Sequence, residues 1–144
     1  MPSVVNVSDV KLIEDAYLQV NPVQGVGPGI VIRQDGYVMT NSHVVLGSQE
    51  IQVTLQDGRT SHADVRGIDM KTDIAVIHVD YDDLPVPEMA KGAEVKIGQT
   101  AIAMGTPFGL VGGPTVTVGI VSAINRSIQT PVSFMEQLIQ TSRP

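Results

Sequence analysis

Short apolar runs rich in Val and Ile recur along this chain, and a Gly, Pro or Asp-Gly turn signal separates most of them from the next. Val and Ile number 22 and 13 in 144 residues, about a quarter of the chain. Branched β-carbons lose rotamer freedom in a helix and pack well on a pleated surface. Fourteen glycines and nine prolines break the runs at short intervals. Many short strands with frequent turns predict an all-β sandwich or barrel. A chain of this length buries roughly two-thirds of its unfolded surface. Trp is absent and Phe occurs twice, so the expected core is aliphatic.

The strands and turns can be placed individually. Asp35-Gly36 separates Gly29–Arg33 from Tyr37–Thr40, a hairpin with a type I′ signal. Ile51, Val53 and Leu55 alternate with Gln52 and Thr54 ahead of Asp57-Gly58, the period of a half-buried strand. Asp73 to Val79 is nearly continuous in apolar residues and reads as a strand with both faces mostly covered. Leu84-Pro85-Val86-Pro87 reads as a connector, because proline cannot sit in a central strand. Ala101–Met104 and Thr115–Ser122 are two further strands joined by a Gly/Pro loop from Gly105 to Pro114, and Leu138–Thr141 is a last one. One segment reads two ways: Val10, Ile13, Tyr17 and Leu18 fit a helical stripe with Ser8 as its N-cap, and the same stretch fits strand and loop; the favoured expectation is irregular or short-helical structure.

Charge and composition narrow the function. The net charge is −6 with no Lys/Arg cluster, which argues against a nucleic-acid partner. The chain is 42% hydrophobic and 17% charged, the composition of a folded domain rather than a disordered acidic tail. No apolar run reaches the ~18 residues of a membrane span. Without cysteine there is no disulfide, zinc-thiolate site or Cys nucleophile, and no spacing suggests three convergent ligands, so neither metal nor cofactor is expected.

Three histidines carry the titratable chemistry. His43 stands in Thr40-Asn41-Ser42-His43-Val44-Val45, His62 in a polar stretch, and His78 on the strand ending at Val79. Taken singly, such residues are more often structural than catalytic. His62 and His78 are read that way, and Asp73 alone reads as a cap that opens a strand. The serines Ser122, Ser127, Ser133 and Ser142 lack flanking glycines and read as ordinary strand and loop residues. Ser42 would point away from His43 if the two shared an extended strand.

Three motifs in order change the weighting of His43 and Asp73. Thr40 to Val45 comes first. Asp69-x-x-x-Asp73-Ile74-Ala75-Val76 is second, and Ala103 to Leu110 followed by Thr117 to Ser122 is third. This order and spacing resemble the HtrA/Deg family of trypsin-like serine proteases, from Pro2-Ser3-Val4-Val5 to Ile139-Gln140-Thr141. The resemblance implies a trypsin-like double β-barrel, with the first barrel complete in residues 1–90 and the opening strands of a second in 91–144. It implies that His43 is the catalytic base and Asp73 the acid that orients it. The chemistry is sound on its own terms: a serine hydroxyl needs a base that titrates near working pH, and a carboxylate on the other ring nitrogen fixes the tautomer.

The family's nucleophile lies in a Gly-Asn-Ser-Gly-Gly loop, which by this alignment falls about six residues after Pro144. The chain is therefore expected to be inactive by itself, a piece of a serine endopeptidase of protein quality control. The implied substrates are unfolded or misfolded polypeptides, and the implied compartment is extracytoplasmic (periplasmic, cell-surface or membrane-anchored). Two alternatives stay open: a non-catalytic fragment that binds peptides or associates with itself through exposed strands, and an inactive homologue. Gly27-Pro28-Gly29, Thr106 and Ser142-Arg143-Pro144 depart from the family's usual Gly-Ser-Gly, Asn and Asp-Ala-Ala.

Overall fold

A computed structural model describes residues 2–14, 20–90, 94–105, 115–130 and 134–142. The described residues form nine strands and one short helix: β1 (Val4–Glu14), β2 (Val20–Val31), β3 (Tyr37–Thr40), α1 (Ser42–Val45), β4 (Glu50–Thr54), β5 (Thr60–Asp69), β6 (Ile74–Val79), β7 (Thr100–Gly105), β8 (Thr115–Gln129) and β9 (Phe134–Ser142). The first six strands close into an antiparallel barrel in the order β1-β2-β3-β6-β5-β4, and β7-β8-β9 make a separate three-stranded sheet. This is the architecture of a trypsin-like double barrel, one barrel closed and the other partial. Closure comes from β1, which pairs with β2 along one edge and with β4 over Asn6–Val10 along the other.

Period two decides which side chains enter the barrel. Val5 and Val7 of β1, Val38 of β3, Val53 of β4 and Ala75, Ile77 and Val79 of β6 are buried together with Val31, Ala63 and Leu84. This core is aliphatic, as the composition requires. The Leu84–Pro87 connector lies outside any strand, and Leu84 anchors it under the barrel.

Several local expectations are corrected. The helical stripe through Val10 and Ile13 is strand: β1 runs unbroken to Glu14, and Ser8 is a mid-strand residue facing Val26 and Gln52. Pairing with β2 along the whole of β1, joined by β4 over Asn6–Val10, outweighs a four-residue pattern, since the ladder takes up the backbone polar groups of the segment. Tyr17 and Leu18 lie outside the described residues. The Asp35-Gly36 hairpin is not type I′, which needs positive φ at both central residues. Only Gly36 has it (φ 94°), in a connection of five residues between β2 and β3. On β6, Ala75, Ile77 and Val79 are buried, but Ile74 is exposed and Val76 and His78 are half-buried, so one face is fully covered. Strands β8 and β9 run beyond Ser122 and begin before Leu138, with register shifts that let the long pair bend. The Gly/Pro loop after Gly105, including Thr106, lies outside the described residues.

The β7–β9 sheet is covered far less than the barrel. Ile102, Val116, Val118, Ile120, Ile128 and Phe134 are each about half exposed or more. Val121 is the sheet's one buried hydrophobic among the described residues.

Candidate active site

Strand β3 ends at Thr40, whose hydroxyl donates to the Pro28 carbonyl at 2.8 Å, and the chain turns into α1. Pro28 removes an N–H at this point of β2, but its carbonyl still anchors the end of β3. The helix sits close against the barrel because β2 is bare beneath it. A β-carbon on Gly27 would lie 2.6 Å from Val44 Cγ2, so only glycine leaves room for the Val44 side chain.

Asp73 meets the start of this helix from the mouth of β6. Its φ of 55° lies in the left-handed region, where Asp is one of the few residues tolerated. That twist turns both its carbonyl and its carboxylate toward α1. The Ser42 N–H donates to the Asp73 carbonyl at 3.2 Å. The carboxylate accepts the His43 N–H at 3.0 Å and the Ser42 hydroxyl at 2.8 Å on Oδ1. On Oδ2 it meets His43 Nδ1 at 2.7 Å and the Asn41 amide at 3.2 Å. Asn41 occupies the N-cap position yet caps nothing with its own side chain; its amide donates to Asp73 instead. A carboxylate 30 residues downstream does the capping.

The structure thus brings His43 and Asp73 together, and it places two further residues at the pair that sequence reasoning passed over. Ser42 is not on an extended strand opposite His43. It is buried in the first turn of α1 and ties down Asp73. Asn41 does the same from the other side. The signal for both was their place in the Thr-Asn-Ser-His run, where an Asn and a Ser precede a residue needing a fixed orientation. His62 and His78 stay apart from this cluster. His62 is exposed on β5, with Nε2 3.9 Å from Asp64 Oδ1. His78 packs edge-on against Tyr37, 4.8 Å between ring centres, with Nε2 3.0 Å from the Asp35 carbonyl. Ser122 donates to the Gln140 carbonyl at 3.1 Å. Ser133 lies outside the described residues.

The electrostatics favour the ionised form of Asp73. Partial burial pushes the Asp73 carboxyl up, but the His43 amide, the Ser42 hydroxyl and the His43 ring together outweigh it and hold the group below its ordinary value. The direction fixes a pH dependence. A depressed native pKa contributes stability above the unfolded value of about 3.9, and that contribution disappears as pH falls through the native value. The urea midpoint of the native chain should therefore exceed that of Asp73→Asn by a constant amount at neutral pH. The gap should shrink below about pH 4. Parallel midpoint curves down to acid pH would show that Asp73 carries no such linkage.

His43 is 71% exposed at its side chain while Asp73 is 21% exposed. Asp73 engages Nδ1, which leaves Nε2 as the proton-accepting nitrogen on an open ring. The groove beside the pair is lined by Pro28, Ile30, Met39, Thr40, Asn41 and Ile74. This arrangement can withdraw a proton from a hydroxyl presented to Nε2 and stabilise the imidazolium that results.

Comparison with known proteins identifies the family. The family model described as a trypsin-like peptidase domain matches residues 27–143. A probable periplasmic serine endoprotease DegP-like of Halomonas elongata is 48% identical over 109 residues, covering 76% of this chain and 23% of the relative. The putative serine protease HhoB of Synechocystis is 47% identical over 104 residues, covering 72% and 24%. Among solved structures, the HtrA-type protease AlgW with decapeptide superposes with a TM-score of 0.81 at 31% identity, over 99% of this chain and 48% of that one. AlgW with tripeptide gives 0.84 at 34% identity, over 99% and 43%. The chain spans about a quarter of the length of these curated relatives and under half of the matched structures. Its fold, its collinear motifs and these likenesses make the chain a member of the HtrA/Deg family of trypsin-like serine proteases.

Proposed function

We propose that this chain supplies the base and the orienting acid of a serine endopeptidase. The observation that carries the reading is the 2.7 Å contact between His43 Nδ1 and Asp73 Oδ2 on a ring otherwise open to solvent. In the assembled enzyme, Nε2 of His43 takes the proton of the serine hydroxyl as its oxygen attacks the scissile carbonyl carbon. It returns that proton to the amine as the C–N bond breaks. Water then releases the acyl group by the same route, and Asp73 stays ionised throughout. The serine belongs to the family's Gly-Asn-Ser-Gly-Gly loop, a pattern that none of the 144 residues supply, so the chain alone is read as inactive.

The closed barrel of residues 1–90 forms one domain in this reading, and residues 91–144 begin the second. Substrates are unfolded or misfolded polypeptides, a class supported by the peptides in the AlgW complexes. The relatives named periplasmic support an extracytoplasmic site of action, in the periplasm, at the cell surface or on a membrane anchor. The deciding experiment reads the gene past the codon for Pro144. A Gly-Asn-Ser-Gly-Gly within about ten residues is expected, and a substituted serine there would replace the protease reading with that of an inactive homologue.

The half-exposed β7–β9 face favours a second property of the isolated chain, self-association. Edges and apolar faces of this kind recruit another copy. Sedimentation velocity should show species heavier than the monomer at concentrations of about 10 μM. A single monomeric boundary would remove this part of the proposal.

A further inference from the structure

Asp9 is out of place for a barrel interior. It follows Val5 and Val7 on the inward face of β1 and is only 1% exposed. A carboxylate in that position is costly unless it is paired. Its neighbours are Ser48, whose hydroxyl donates to Oδ2 at 2.9 Å, and Lys11, whose ammonium lies 3.4 Å from the same oxygen. A β-carbon on Gly25 would fall 2.1 Å from Oδ1, so β2 is bare here to admit the carboxylate.

The two partners of Asp9 have a second task at α1. The last carbonyls of a helix lack partners within it. Here the Val45 carbonyl accepts the Ser48 N–H at 3.2 Å, and the His43 carbonyl accepts Lys11 Nζ at 3.0 Å. Both main-chain polar groups of His43 are therefore held from outside the helix. Asp73 takes the N–H on one side and Lys11 takes the carbonyl on the other. A ring that is 71% exposed gains little orientation from packing, so its direction rests on the Asp73 contact at Nδ1 and on how firmly its own backbone is held.

We propose that Lys11, charged and aimed by the buried Asp9, is a positioning residue for His43. It pins the main chain of the base from the side opposite Asp73. The proposal rests on the reading of His43 and Asp73 as base and orienter. The ammonium matters because a charge-assisted bond is roughly twice as strong as a neutral one. It also carries enough protons to serve the His43 carbonyl and Asp9 at once.

The test uses the full chain with labelled histidine and three substitutions at this strut. The ring ¹⁵N shifts of neutral His43 report its tautomer, and amide exchange of His43 and Leu46 reports the order of α1. The unsubstituted chain is expected to hold mainly the Nδ1–H form. Lys11→Met keeps the aliphatic stem; it should raise the Nε2–H population about threefold. It should also speed exchange at His43 and Leu46 about tenfold, with Val7 and Val53 of the barrel unchanged. Lys11→Arg should stay near the original values, and Asp9→Asn should follow Lys11→Met. If Lys11→Met leaves tautomer and exchange alone, or if Lys11→Arg behaves like Lys11→Met, the proposal is overturned. A ring that is mainly Nε2–H from the start, with amide exchange still responding to Lys11→Met, would defeat the pairing with Asp73 and leave the backbone anchor standing. Should Asp9→Asn not fold, the two Lys11 variants decide.

Discussion

Asp73→Asn, introduced into a protein that carries the serine loop, should lower kcat about 10,000-fold with little change in KM. The size follows from the tautomer. The Asp73 carboxylate accepts from the Asn41 amide, the Ser42 hydroxyl, the His43 N–H and His43 Nδ1. An amide at the same place offers one acceptor and turns an NH₂ group on the remaining donors. The least costly escape is for His43 to move its proton to Nε2, and Nε2 then has no lone pair for the serine hydroxyl. KM should hold because Asp73 lies behind the ring and is not placed to touch substrate. Steady-state hydrolysis of an unfolded protein or a short peptide measures both constants. A loss of kcat under tenfold would mean that proton transfer does not run through this pair, and the proposed mechanism would fall.

The largest effect on stability is expected at Gly36→Ala. Gly36 has a φ of 94°, and a β-carbon there would stand 2.0 Å from the Val79 carbonyl and 3.0 Å from that of Tyr81. Both neighbours are backbone, so no side chain can swing away. Moving the turn would break the bond from the Val79 N–H to the Gly36 carbonyl, 3.0 Å long, at the seam between the β2–β3 connection and the end of β6. Left-handed strain and this overlap together should cost about 3 kcal/mol or more. That is a large share of the 5–15 kcal/mol typical of a domain. The urea midpoint should drop by roughly 1–3 M. Gly58→Ala is the control: its φ is 88°, but nothing lies within 4 Å of the added carbon. It should cost only the backbone term, about 1 kcal/mol. Equal losses for the two substitutions would show that the close contact at Gly36 has no energetic consequence.

The two readings of β1 and β4 show where local pattern succeeds and where it stops. The alternation of Ile51, Val53 and Leu55 is a property of consecutive residues, and β4 follows it with Ile51 and Val53 buried and their neighbours not. The stripe through Val10 and Ile13 is equally local and points the wrong way, because β1 is held by β2 along its whole length and by β4 as far as Val10. The candidate site divides in the same manner. His43 and Asp73 were legible through the order of three motifs. Asn41 had no role in that reading and Ser42 was expected to point away from His43, because the turn into α1 and the contacts with Asp73 are set by tertiary structure. Nothing near Asp9 or Lys11 marks them as supports of the same helix.

By itself the sequence determined the class of fold and the aliphatic core, which depend on residue type and short-range spacing that a linear chain carries openly. The order of three motifs, through a family resemblance, singled out His43 and Asp73 as candidates. Tertiary structure alone decided that β1 is strand to Glu14, that Asp73 caps α1, and that the His43 main chain is held between Asp73 and Lys11. The last two are meetings of residues 30 or more positions apart, whereas the end of β1 pairs with β2 as near as Glu14 with Val20. Those two exist only once the barrel has closed and brought β1, β3 and β6 to one rim.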